Sequence, residues 1–179
     1  MLFRSDGAGT WLCQISYDGS PEVRDSYTAD RCTAWIRQAV GDPGLDVDVL
    51  SISPWIMNVL VAERFRVGRV FLVGDAAHQM PPTGGFGMNT GVQSAHNLAW
   101  KIAASLAGVA GPRLLDSFEQ ERRPVATSNA QRSFDNSRSV WVVAQAGRGE
   151  HPEGLTPREA VARAHRYGNF AGMEFGHVY

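Results

Sequence analysis

Residues 68 to 91, GRVFLVGDAAHQMPPTGGFGMNTG, constrain this chain more than any other stretch. An apolar run ends on an acid, two prolines follow, and Gly84, Gly85, Gly87 and Gly91 then fall within eight residues. Glycine and proline both disfavour regular structure, so this density marks a backbone shaped for close approach to something. The continuous run Val70–Phe71–Leu72–Val73 predicts a strand over 69–74 buried on both faces, the kind found in parallel sheets covered by helices. Asp75 then stands at the carboxyl end of that strand, where open α/β sheets hold ligands and where an acid accepts hydrogen bonds from sugar-type hydroxyls. From Asn89 onward, Val92, Ala95, Leu98, Ala99, Ile102, Ala103 and Leu106 recur at helical spacing as far as Gly108, predicting an amphipathic helix. The unbonded N–H groups that open such a helix favour negative charge. The spacing GGFGMNTG is neither GxGxxG nor a Walker-type loop, so neither familiar phosphate cradle is present in it.

The rest of the chain supplies the surroundings. Trp11, Cys13, Ile15 and Tyr17 alternate over 10–19 as a half-buried strand ending in an Asp18–Gly19 turn. Thr28 is an N-cap candidate for a helix carrying Cys32, Trp35, Ile36 and Ala39 and stopped by Gly41 and Pro43. Residues 45–65 read as one or two strands interrupted at Pro54. Pro112 opens a further helix through Leu114, Leu115 and Phe118; Pro124 is expected to kink or break it, with helix resuming over 125–146. A short helix is expected around PREAVARAHRYG. The fold class is mixed α/β, divided into residues 1–60, 61–146 and a tail at 147–179.

Charge and cysteine content narrow the partners. A net charge of −1 gives no basis for nucleic acid or an anionic membrane as partner, and no run of apolar residues reaches membrane-spanning length. The chain is read as cytoplasmic. Cys13 and Cys32 have no metal or disulfide spacing and are expected to pack. His78 reads as a structurally hydrogen-bonded histidine and His96 as solvated, with no metal site expected. The cluster EQERR (119–123) reads as a solvated helix face, with Glu119 and Arg123 four apart and Arg122 or Arg123 able to reach a domain interface. Trp55 and Met57 read as core residues, with pocket lining as the alternative.

The stretch from Gly68 to Gly108, followed by LLDSFEQERRPVA, resembles the second FAD-binding fingerprint and following helices of the class A flavoprotein monooxygenases, the para-hydroxybenzoate hydroxylase-like family, in its phenol and polyketide hydroxylase branch. The resemblance is dense over 64–126 and looser back through YTADRCTAWIRQAVG and forward to GMEFGHVY. It implies the C-terminal part of a Rossmann-like FAD-binding domain, with a remnant of the antiparallel substrate-domain sheet before it. It also implies a cofactor, FAD, with NAD(P)H as co-substrate and a small aromatic substrate that receives an oxygen atom from O2. Gly74 and Asp75 would meet the ribityl or pyrophosphate region, Pro82 and Gly85 would pass the flavin ring, and Gly87, Met88 and Asn89 would meet its pyrimidine edge through backbone groups. No catalytic residue is assigned. Ser94 stands where the family often carries an acid, and the family's N-terminal GxGxxG and its DG motif are absent. The chain is therefore read as a C-terminal half, whose strand at 69–74 should be covered by a missing N-terminal half, a second copy or a rearranged contact. A truncated homologue acting through protein contacts, without FAD, is the other reading.

Overall fold

A computed structural model describes residues 2–15, 20–150 and 152–166. The chain divides into two compact units, one ending at Ile56 and the other beginning at Met57.

The first unit opens with an antiparallel hairpin, β1 (Leu2–Ser5) against β2 (Trp11–Gln14), with Leu2 opposite Gln14 and Ser5 opposite Trp11. Its loop is closed by the Asp6 carboxylate, which accepts from the N–H groups of Ala8 and Thr10 and sits below the usual carboxylate range for that reason. On the expected half-buried face Cys13 and Ile15 are half-buried while Trp11 is exposed; the expected turn at Asp18–Gly19 lies outside the described residues. A short helix, α1 (Pro21–Asp25), precedes α2 (Ala29–Val40). The Thr28 hydroxyl caps α2 by accepting from the Arg31 N–H, and Gly41 ends it in the left-handed conformation that only glycine adopts without strain. Cys32 is buried, and burial pushes the thiol of half-buried Cys13 up.

In the second unit β3 (Leu60–Val61) pairs antiparallel with β6 (His78–Gln79), and β4 (Arg66–Val67) pairs antiparallel with β5 (Val70–Phe71). Between β5 and β6 lies a 3-10 turn, Gly74–Ala76. Two long helices follow, α3 (Phe86–Leu106) and α4 (Arg113–Gly147), then α5 (Pro157–Arg166). The core joins Phe65, Ala77, Leu98, Phe118 and Ala126, flanked by Phe71, Leu72, Ile102 and Leu115. Phe65 and Phe118 are fully buried with ring centroids 6.2 Å apart, each worth about 2 to 3 kcal/mol of burial.

Several expectations are corrected. The run 70–73 is not a doubly buried strand: Val70 is exposed, and the two-residue β5 pairs back on β4 across a turn at Gly68. That hairpin pairs one edge of β5. Residues 46–59 form no strand, and Trp55 and Met57 are exposed rather than in a core. The helix assignment of α4 continues through Pro124, whose ring removes only one N–H while burial of Phe118, Val125 and Ala126 holds both sides. The cluster EQERR is solvated only in part: Gln120 and Arg123 are exposed, while Glu119 and Glu121 are half-buried. Glu119 accepts from the N–H groups of Phe65 (2.6 Å) and Arg66 (3.1 Å), instead of pairing with Arg123, and Arg122 is buried.

The largest difference concerns which face of α3 is covered. Val92 and Leu106 are 64% and 84% exposed, while Thr90, Ser94, Leu98 and Lys101 are buried against α4. A polar seam is tolerated because its members find partners. Arg122 Nε donates to Ser94 Oγ (3.2 Å), Asn129 Nδ2 to Thr90 Oγ1 (2.9 Å), and Lys101 Nζ to Ser117 Oγ and the Glu121 carboxylate (both 2.7 Å). No helix among the described residues is long and apolar enough to cross a membrane.

Candidate functional site

The site is assembled where the 3-10 turn, the Pro/Gly loop and the first turn of α3 come together. Gly74 has a positive φ of 62°, which lets the chain turn sharply out of β5 and leaves Asp75 exposed. The turn lies directly against α3: a Cβ added to Gly91 would stand 3.5 Å from the Gly74 Cα. The turn thus packs close to the helix, at a distance an added Cβ at Gly91 would meet as an ordinary contact. The Asp75 carboxylate makes no side-chain hydrogen bond or ion pair to another described residue.

The loop then runs from buried Pro81 through exposed Pro82, Gly84 and Gly85 into α3. Gly84 (φ 104°) and Gly85 (φ 70°) both sit at angles that other residues rarely adopt, and the Gly85 N–H donates to the Pro82 carbonyl at 3.0 Å. Gly85 occupies the N-cap of α3, and no side chain caps the helix. The first-turn N–H groups of α3, which cannot bond within the helix, therefore open toward the surface carrying Met88 and Asn89, both exposed. The Asn89 side chain does not cover them, because its Nδ2 donates back to the Gly85 carbonyl at 2.8 Å. Gly87 sits over Met80, 3.7 Å from its Cγ to an added Cβ.

His78 lies beneath this surface, 1% exposed, with its ring 6.4 Å from that of Phe65. Among the described residues neither ring nitrogen has a hydrogen-bond partner, contrary to the expectation of a structurally bonded histidine. Burial pushes its pKa below the ordinary histidine value, and the nearby Asp75 carboxylate only partly opposes that. His96 is exposed, as expected. At the far end of the seam burial works against the Glu121 carboxylate, but hydrogen bonds from Lys101 and Asn97 hold it below its ordinary range.

The seven residues named from the sequence, Gly74, Asp75, Pro82, Gly85, Gly87, Met88 and Asn89, thus all lie at or beside the uncapped start of α3. The sequence reading missed what holds the loop there. Ser133 Oγ, fully buried on α4, lies 3.0 Å from the Pro81 carbonyl and 3.2 Å from that of Thr83; Asn136 Nδ2 lies 3.4 Å from the Thr83 carbonyl; and the Ser137 and Thr83 hydroxyls are 2.6 Å apart. The signal was present as a polar stripe, Arg122, Asn129, Ser133 and Asn136, at helical spacing in a helix that had to bury one side.

This surface presents an acceptor at Asp75 and unbonded donors at a helix N-terminus, a set suited to a ligand with hydroxyls and an electron-rich polar edge. The family described as FAD binding domain matches residues 4–133. A putative polyketide hydroxylase of Streptomyces coelicolor is 48% identical over 140 residues, covering 76% of this chain and 22% of that protein. The tetracenomycin A2 monooxygenase-dioxygenase of Streptomyces glaucescens is 43% identical over 157 residues, covering 88% of this chain and 27% of that protein. Among solved structures, the flavin-dependent monooxygenase PieE in complex with FAD and substrate matches with a TM-score of 0.70 at 33% identity, over 99% of this chain and 34% of that one. The chain spans about a quarter of the length of these curated relatives.

Proposed function

The chain belongs to the FAD binding domain family, and on that premise we propose that it is the C-terminal part of an FAD-dependent monooxygenase that hydroxylates a phenolic or polyketide aromatic ring with NAD(P)H and O2. One observation carries the reading: an exposed carboxylate and an uncapped helix start lie on a turn and a loop whose glycines, Gly74 and Gly85, hold positive φ angles that a side chain would strain. The donor set fits FAD. Asp75, raised on the Gly74 turn, would accept hydrogen bonds from the ribityl hydroxyls. Backbone N–H groups of Gly87, Met88 and Asn89 would donate to the pyrimidine edge, and Pro82 and Gly85 would lie along the ring. The partial positive charge of the first turn of α3 favours an anionic edge at that place and disfavours a cation. Bound FAD would supply the electrons taken from NAD(P)H and activate oxygen for transfer to an electron-rich ring. This chain's residues bind and orient; none is assigned a proton-transfer role.

The exposed side of α3, with Met88, Val92 and Leu106, favours a partner that covers it, and we assign that partner as the remaining portion of the FAD-binding fold, in a cytoplasmic protein. FAD titration of the chain, followed by visible absorbance and by quenching of flavin fluorescence, tests the reading. Saturable binding that weakens in Asp75→Ala supports it. Absence of binding with and without the complementary portion would leave a truncated homologue that works through protein contacts.

A further inference from the structure

Ser133 and Asn136 lie on α4, with polar side-chain atoms within hydrogen-bond reach of the Pro81 and Thr83 carbonyls of the loop. We infer that they are positioning residues: by holding the peptide planes of Pro81 and Thr83, they set the direction in which the loop enters α3, and so the direction of the first-turn N–H groups. This rests on the flavin reading of the loop.

Three observations support it together. Ser133 is fully buried and Asn136 is 8% exposed, so little water reaches them and the loop carbonyls are their described partners. The single Ser133 hydroxyl proton is shared between the Pro81 (3.0 Å) and Thr83 (3.2 Å) carbonyls, and Asn136 Nδ2 donates to the Thr83 carbonyl as well. The residue that follows is Gly84, where an added Cβ would lie 3.0 Å from Asn136 Nδ2 and 2.5 Å from the Phe86 ring. The absence of a side chain at Gly84 is thus what lets α4 reach the loop backbone. The Thr83 and Ser137 hydroxyls add a lateral tie at 2.6 Å. Seryl and asparaginyl groups have no other described work at these positions. An apolar seam would pack α4 equally well but would leave two loop carbonyls buried and unbonded.

Threonine and valine at 133 have the same shape and differ by the hydroxyl, so Ser133→Thr and Ser133→Val in the full chain isolate the hydrogen bond from the bulk. The readouts are amide hydrogen exchange over residues 83–89 and the dissociation constant for FAD. Relative to Ser133→Thr, Ser133→Val is expected to speed loop exchange and to weaken FAD binding, each on the order of tenfold, with exchange in residues 98–106 and 114–130 the same in both. Equal behaviour of the two variants, or a loss of protection spread evenly through α3 and α4, would overturn the inference. Should both β-branched variants fail to fold, Ser133→Ala against the natural chain decides on the same readouts. A loop that loosens in Ser133→Val while the natural chain binds no FAD would keep the positioning role and remove the flavin reading. FAD bound equally by both variants would do the reverse.

Discussion

Adding one methyl group at Gly84 should disturb the loop far more than adding one at Gly85, although the two residues are adjacent and both have positive φ. At Gly85 (φ 70°, ψ 19°) the backbone is left-handed helical and nothing lies within 4 Å of an added Cβ, so alanine there meets only the intrinsic penalty of about 1 kcal/mol, roughly fivefold. At Gly84 the φ of 104° is less accessible, and the new Cβ would stand 2.5 Å and 2.9 Å from Phe86 ring carbons and 3.0 Å from Asn136 Nδ2. The Phe86 ring can swing aside, which limits the clash. Backbone strain and repacking together then amount to about 3 kcal/mol, or roughly a hundredfold. The strain falls on the loop rather than on the Phe65–Phe118 core, so the assay must be local. Amide hydrogen exchange over 83–89 should rise about a hundredfold in Gly84→Ala and about fivefold in Gly85→Ala, with residues 98–106 unchanged in both. Indistinguishable effects at the two glycines, or a larger one at Gly85, would refute the account of how α4 meets the loop.

Two further tests probe the seam and the buried histidine. Glu121→Ala leaves the Lys101 ammonium, 1% exposed, with the Ser117 hydroxyl and the Trp100 ring (5.5 Å to its centroid) as remaining described partners; because Glu121 itself is 30% exposed, the loss in a urea melt should be about 2 kcal/mol, below the range for a fully buried pair, and Lys101→Met in the same chain should recover most of it. The folded-state pKa of His78 lies below its unfolded value of about 6.5, so the unfolded chain takes up the proton first: stability is full above that value and falls as pH drops from it toward the folded pKa. The urea midpoint should therefore fall between about pH 7.5 and 5.5, and His78→Leu should flatten that dependence; an equal slope in the variant would contradict it.

How far the sequence speaks depends on whether a signal is local. The ends of α2 were legible because Thr28 and Gly41 act on their own neighbours. The loop's backbone was legible for the same reason: glycines at 74, 84 and 85 are needed for backbone angles at those residues, and the seven positions proposed to meet a ligand lie on the 3-10 turn, the loop and the first turn of α3. Face and partner are not local properties. Of the periodic stripe, Leu98 is buried and Ile102 half-buried on the apolar part of α4, whereas Val92, Ala95 and Leu106 are exposed and Thr90, Ser94 and Lys101 are covered where α4 offers polar groups. The alternation over 45–65 is that of strands, yet Leu60–Val61 alone pairs, with β6; a strand needs a neighbour that composition does not name. Glu119 looked like a surface acid because the two N–H groups it accepts from are more than fifty residues away. Ser133 and Asn136 were hidden likewise, their partners being carbonyls that any residue type could supply.

The central claim, that the Asp75 turn and the uncapped start of α3 form a surface for the flavin, is tested most directly by amide hydrogen exchange of the chain with and without saturating FAD. Added protection confined to Gly74–Asp75 and to residues 84–89 is the expected result. Protection confined to other segments, or unchanged exchange at both of these, would contradict it.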